Sequence, residues 1–221
     1  AGKIVVRTHN VEHRIWKNLS ITERNPIKKK YLKILAQQLE KYESVRLSEV
    51  DGIVSISDSD TNVYIEMGCN DSIKTIPFGI NLGPLQKVNN KGLFFLGSLD
   101  WQPNIDGINW LSKMVSSSLV SKVIVAGRNP SKEISLSDNL IMKGEVDDAE
   151  QFMKERGVML VPLFSGSGIR IKILEAMAWG VPVIATSKAV EGLGVESGRH
   201  VLITDDPAQF ADFANQLLKD K

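Results

Sequence analysis

Residues 165–175 read Ser-Gly-Ser-Gly-Ile-Arg-Ile-Lys-Ile-Leu-Glu, which puts two glycines, a guanidinium, an ammonium and a carboxylate on one short segment. Gly166, Ser167 and Gly168 make a turn at the head of an apolar helical stretch expected over 168–179. Unpaired backbone N–H groups and the positive end of the helix dipole then converge on one point, and an anion belongs there. Arg170 and Lys172 fall in the first turn expected of this helix, where the dipole alone favours acids. Their presence calls for a ligand more negative than the helix end itself can match. Glu175, about one turn deeper, is the single acid in the segment, and its carboxylate can accept from two vicinal hydroxyls of a ribose or sugar. A second reading of the same spacing is a Lys172–Glu175 ion pair on an exposed helix face, contributing about 0.3 kcal/mol. Against it, Ile171, Ile173, Leu174, Ala176, Met177 and Ala178 leave little of the helix that looks solvated.

Other chemistries fit less well. A dinucleotide fingerprint fails because Ile171 stands where the third glycine would fall, and residues 184–187 end a strand without an acid. There is no Gly-Lys-Ser/Thr run for a Walker loop and no nucleophile elbow. One cysteine, Cys69, and three scattered histidines, His9, His13 and His200, do not make a zinc site. The net charge of +1 gives no general case for nucleic acid, and the lone cysteine fits a reducing, cytoplasmic compartment. No apolar run reaches the ~18 residues of a spanning helix. The start, Ala1-Gly2-Lys3, lacks an initiating Met and reads as a cut edge.

The elements that must hold these groups follow from periodicity. In the second half, strands are expected at 92–97, 122–126, 139–142, 157–162, 181–185 and 200–203. Helices are expected at about 104–118, 147–155, 168–179 and 207–219. Short apolar strands alternating with amphipathic helices predict a parallel sheet covered on both faces, with ligands over the strand carboxyl ends. Gly97-Ser98, Gly127-Arg128, Gly144-Glu145 and the 166–168 turn all fall at those ends, and four such turns on one edge are more specific than any one. The first half supplies strands at 3–8, 52–56 and 73–76, and a helix opened by a Ser57/Asp60 capping box that reaches Met67. The polar stretch 81–91, with Gly83 and Pro84, is the expected boundary between domains 1–80 and 81–221.

His9 stands at the carboxyl end of the first strand, either facing a ligand or serving as a cap or surface residue. His13 is four residues on, with a strand end rather than a helical turn expected between them. A helix over 27–47 carries apolar residues at 27, 31, 34, 35, 39, 42 and 45, taken as its packing face. Arg24, Lys28, Lys29, Lys30 and Lys33 cluster near its start. They read either as a solvated face or as contact with an anionic membrane surface or acidic acceptor.

The run Gly168-x-Arg-x-Lys-x-Leu-Glu-Ala-Met-Ala-x-Gly-x-Pro-Val-Ile-Ala-Thr186 closely resembles the donor-binding signature of GT-B glycosyltransferases, the retaining family four (glycosyl transferases group 1). Residues 95–104, 125–127, 144–146 and 190–193 extend the likeness over the second half. Thr8-His9-Asn10 and residues 50–57 resemble the later part of the family's acceptor domain. The resemblance implies a GT-B-type α/β fold with a complete Rossmann-like C-terminal domain, its sheet parallel, and a partial Rossmann-like N-terminal domain. It implies transfer of a sugar, with retention, from a UDP- or GDP-linked donor to a glycan, lipid or small acceptor, with no obligatory metal or cofactor. Cell-envelope polysaccharide assembly, at or near the inner face of the membrane, is the implied setting.

By the same resemblance, Glu175 binds the donor ribose, and Gly166, Ser167 and Gly168 sit near the sugar and diphosphate. Arg170 and Lys172 neutralise the leaving diphosphate, Gly144 to Val146 line the nucleobase, and Gly97, Ser98 and Arg128, at neighbouring strand ends, are donor-binding as well. His9 is the catalytic-side residue near the donor sugar. Two departures stand out. Gly168 occupies the position of the family's second Glu, and residues 98–101, Ser-Leu-Asp-Trp, replace a loop that usually carries Arg and Lys. Arg170 and Lys172 are therefore expected to take over the diphosphate. The chain also holds about half of the expected first domain, so this fragment alone is expected to transfer nothing. The competing readings are a nucleotide-sugar epimerase of the same fold and a non-catalytic nucleotide-binding scaffold.

Overall fold

The computed structural model describes residues 2–69, 72–80, 82, 92–166 and 168–219. Its contacts divide the chain into two units, Ala1–Gly79 with Ser165–Ile169, and Ile80–Phe164 with Arg170–Lys221. Ser167 and most of the polar stretch 81–91 lie outside the described residues.

In the second unit, short and mostly apolar strands pair in parallel, with helices covering the faces of the sheet. They are β4 (Leu93–Leu96), β5 (Val123–Ala126), β6 (Leu140–Gly144), β7 (Val158–Val161), β8 (Val183–Ala185) and β9 (Leu202–Ile203). Their order is β6-β5-β4-β7-β8-β9, so the chain moves outward in one direction from β4 and then in the other from β7. Alternation within β4 sends Phe95 into one core with Ile108, Leu160 and Phe210, and Phe94 into the other with Phe152, Met159 and Ile173. Helices α4 (Gln102–Trp110), α5 (Ala149–Arg156), α6 (Ile171–Ala178) and α7 (Pro207–Lys219) complete this unit.

The first unit is a smaller parallel sheet, β1 (Val5–Arg7), β2 (Gly52–Ser55) and β3 (Ile73–Thr75), in that spatial order. Its helices are α1 (Glu12–Thr22), α2 (Pro26–Ser48) and α3 (Asp58–Glu66). Asn25 caps α2 by accepting from the N–H groups of Ile27 and Lys28, with Pro26 at the first turn. Ser57 accepts from the Asp60 N–H at 3.1 Å and opens α3 as expected. The fold is α/β, with parallel sheets in both units.

Four local expectations are corrected. The stretch after His9 is not all loop: α1 begins at Glu12, and His13 lies inside it. No side chain of its own caps that helix; instead the Glu43 carboxylate of α2 accepts from the Glu12 and His13 N–H groups and from His13 Nδ1 at 2.7 Å. A cap supplied from thirty residues away leaves no local sequence signal. Helix 104–118 starts two residues earlier, at Gln102, because Pro103 suits a first turn. It then widens to a π segment, Leu111–Val115, and tightens at Ser116–Ser118. There Ser116 Oγ donates back to Ser112 O, and Ser137 and Asn139 bond to the same serines from outside the helix.

The third correction concerns α2, whose buried residues are Leu32, Ala36 and Leu47, whereas Ile27, Tyr31, Ile34, Tyr42 and Val45 are exposed. The apolar set read from spacing therefore follows the more exposed side of the helix and misses the residues that are buried. The fourth is that α6 is shorter than expected. It spans Ile171–Ala178, with Arg170 as its N-cap rather than in its first turn. Gly168, at φ 82°, lies in the left-handed region and cannot belong to the helix.

The strand ends of the second unit fit too closely for side chains. Gly127 has φ 152°, and a Cβ on it would stand 1.7 Å from Gly97 O. Gly127→Ala is expected to destabilise the protein by about 3 kcal/mol or more, read by urea unfolding, since both the contact and the backbone conformation oppose it.

Candidate functional site

In a parallel sheet of this order, the crevice opens where adjacent strands send their connections to opposite faces, here between β4 and β7. The segment after β4 and the start of α6 flank it. Two side chains of α6 reach back to the β4 side. Lys172 Nζ donates to Leu96 O at 2.7 Å and lies 5.2 Å from the Phe95 ring centre. The Arg170 guanidinium, buried, stacks over Trp101 at 5.0 Å.

The segment after β4 is braced so that it can present these partners. Ser98 Oγ donates to Asp100 Oδ1 at 2.7 Å, and Asn129 Nδ2 donates to Asp100 Oδ2 at 3.0 Å. These two bonds, Ser98 first, hold the Asp100 carboxyl below the ordinary carboxylate range. Asn104, buried in α4, donates to Ser98 O at 2.7 Å. The Leu99 N–H donates to Arg128 O, and the Gly127 N–H to Gly144 O, so the ends of β4, β5 and β6 are tied into one edge. On the other flank, Thr186 Oγ1 donates to Leu163 O and fixes the exit of β7.

Electrostatically the site is short of negative charge. Among the described residues no carboxylate pairs with Lys172. Burial first, and then the neighbouring Arg170 charge, pull its pKa from 10.5 to about 8. Burial likewise lowers the Arg170 pKa, opposed by Glu191. A lysine desolvated beside a second cation at a helix start is costly, which is the arrangement expected of a functional site. The Lys172–Glu175 ion pair is not formed, because the ammonium is committed to Leu96 O. The half-buried Glu175 carboxylate has no hydrogen-bond partner among the described residues and remains an acceptor.

The expected residues are thus distributed unequally. Gly97, Arg170, Lys172 and Glu175 sit at the β4–α6 crevice. Ser98 spends its hydroxyl on Asp100, Arg128 is exposed and contributes its carbonyl, and Gly144 closes β6. Val146 is half-buried against the core of its unit. Gly166 and Gly168 both have positive φ, at 97° and 82°, and group by contacts with the first unit. A glutamate at Gly168 would be strained at that backbone conformation. Ser167 lies outside the described residues. His9 is exposed past the end of β1, in the first unit. Next to it, Tyr64 Oη donates to Asn10 O at 2.8 Å, and burial pushes the Tyr64 hydroxyl pKa up. Sequence reasoning missed Trp101, Asp100, Asn104 and Asn129, because each acts through a contact across loops rather than through spacing along one element.

A cavity of about 410 Å³ lies elsewhere, between α1 and α2, and contains none of the expected donor residues. Among the described residues there is no group of three or more His, Cys, Asp or Glu able to hold a metal ion. None of the described helices is long and apolar enough to cross a membrane.

The family described as "Glycosyl transferases group 1" matches residues 90–220, and the chain belongs to that family. An uncharacterized 44.6 kDa protein in the cps region of Klebsiella pneumoniae is 26% identical over 140 residues, 56% of this chain and 36% of its own length. Anabaena HepE, solved in complex with UDP-glucose, superposes at a TM-score of 0.69 with 16% identity, over 99% of this chain and 63% of that one. S. aureus TarM, in complex with fondaparinux, alpha-GlcNAc-glycerol and UDP, superposes at 0.67 with 16% identity, over 83% of this chain and 40% of that one. This chain therefore spans about a third to two-thirds of these relatives.

The displaced pKa of Lys172 fixes a pH dependence. Between about 8 and 10.5 the unfolded chain carries a proton that the folded chain has lost. The charge destabilises the fold fully below pH 8, and stability rises with pH across that window. The side chain as a whole is only half-buried, so the expected gain is modest, about 1–2 kcal/mol relative to Lys172→Met, read by urea unfolding across the window.

Proposed function

We propose that the protein transfers a sugar from a UDP- or GDP-linked donor to a glycan, lipid or small acceptor, with retention of anomeric configuration. The observation that carries this reading is Lys172, a desolvated cation beside Arg170 with no carboxylate partner among the described residues, at the crevice where open α/β sheets bind ligands. A diphosphate supplies the missing charge. When the sugar–phosphate bond breaks, negative charge grows on that diphosphate, and prepositioned cations stabilise it without a metal or a general acid.

Glu175 accepts from the ribose hydroxyls in this account. Gly144, Glu145 and Val146 are assigned to the nucleobase, and Gly166, Ser167 and Gly168 to the sugar and diphosphate. Gly97, Ser98 and Arg128 form the strand-end frame. His9 is assigned the catalytic-side role that the family resemblance gives it. The UDP and UDP-glucose complexes of HepE support a nucleotide-sugar donor, and the cps-region relative supports a place in envelope polysaccharide assembly. The basic stretch around residues 24–33 is the proposed contact with the cytoplasmic face of the membrane.

Donor affinity and product stereochemistry test the reading together. Glu175→Ala is expected to weaken UDP or GDP binding by about tenfold or more in calorimetry, since it removes a charged acceptor from two hydroxyls. Proton NMR of the first-formed product is expected to show the donor's anomeric configuration. Unchanged affinity, or an inverted product, contradicts the assignment.

A further inference from the structure

The cavity of about 410 Å³ between α1 and α2 is lined by first-unit residues alone and shares none with the donor assignments. Its volume suits a small-molecule ligand rather than a lone ion. Ser20 of α1 and Ala36 of α2, both buried and small, leave that space open between the two helices.

The charge around it is one-sided. Lys17 lines it from α1, and Lys29 and Lys33, one turn apart, line it from α2. None of these three is ion-paired among the described residues. Like charges at that spacing repel, so an anion between them is favoured. Against the three stands one lining carboxylate, Glu40, about two turns beyond Lys33 and paired with none of them. Lys28, whose charge is met by Glu23, does not line the cavity, nor do Arg24 and Lys30.

His13 adds a buried polar contact. It is 5% exposed and lines the cavity, while its Nδ1 lies 2.7 Å from the Glu43 carboxylate. An ionised carboxylate only accepts, so Nδ1 carries the proton and Nε2 is the ring nitrogen left for a ligand. Among the described residues nothing bonds to Nε2. Glu43 is already filled by that ring and by the Glu12 and His13 N–H groups, so it does not neutralise the lysines.

We propose that this cavity binds a phosphorylated small molecule of sugar-phosphate size, its phosphoryl oxygens held by Lys17, Lys29, Lys33 and His13 Nε2. The second proton of a phosphate monoester leaves at a pH of about 6, and that proton is the one shared between Nε2 and a phosphoryl oxygen. The lysine stems and Ile21 give the rest of the ligand an apolar wall. The inference does not depend on the donor reading, because the two sites have no residue in common.

Calorimetric titration with inorganic phosphate, glucose 6-phosphate and glucose tests it, with imidazole NMR locating the ligand. The chain has three histidines, so His13 can be followed individually. Both phosphates are expected to bind and to shift the His13 Nε2 signal, and glucose to do neither. Lys29→Gln/Lys33→Gln is expected to weaken the phosphates by about tenfold or more. Lys30→Gln/Lys41→Gln removes the same charge from the same helix outside the cavity, and is expected to leave affinity within about twofold. All four lysines are exposed, so both variants are expected to keep the thermal midpoint. An equal loss in the two variants assigns binding to diffuse charge and overturns the site. Binding that leaves the His13 signal unmoved, or no binding of either phosphate, overturns it as well. Capture of phosphatidylglycerol vesicles without binding of the soluble phosphates assigns the lysines to a lipid headgroup and also overturns it.

Discussion

The bond from Lys172 Nζ to Leu96 O joins the start of α6 to the end of β4 across the point where the strand order reverses. Much of the site depends on that closure. It needs Gly97 beside it, since a Cβ there would stand 2.7 Å from both Lys172 Nζ and Asn104 Nδ2. Gly97 in turn needs Gly127, whose backbone runs against its carbonyl. The braced segment after β4 then carries Trp101 to where Arg170 can stack on it. Each contact is short-range, but together they hold two cations at a helix start that the dipole alone would leave to acids.

On the proposed reading, Arg170 and Lys172 take the place of the basic residues that the family resemblance leads one to expect after the first strand of this domain. The segment 98–101 here offers a hydroxyl, a carboxylate and an indole, and uses the first two to stiffen itself. The cations come from α6 instead. The cost of burying them lowers both of their pKa values, and the Arg170 charge lowers that of Lys172 further. An anion relieves that penalty, so affinity for the ligand and strain in the free protein have one physical origin.

Much of this was legible in the sequence. Strand positions followed from short uninterrupted apolar runs such as 93–96 and 158–161, bounded by turn residues, as a sheet covered on both faces favours. Arg170, Lys172 and Glu175 stood out because polar groups are rare in so apolar a segment. What stayed hidden were contacts made across the chain. Glu43 caps a helix thirty residues away, and Asn104 and Asn129 brace a loop that neither belongs to. Helix α2 misled for a different reason: with apolar residues on two faces, spacing alone cannot say which one is buried.

The claim on which the account turns is that Lys172, held at the crevice, is waiting for a diphosphate. Calorimetric titration of UDP and GDP, set beside uridine and guanosine, tests it most directly in the wild type and in Lys172→Met. The account predicts that the diphosphates bind about a hundredfold or more tighter than the nucleosides, and that most of this gap closes in the variant. An undiminished gap in a folded Lys172→Met protein would contradict it.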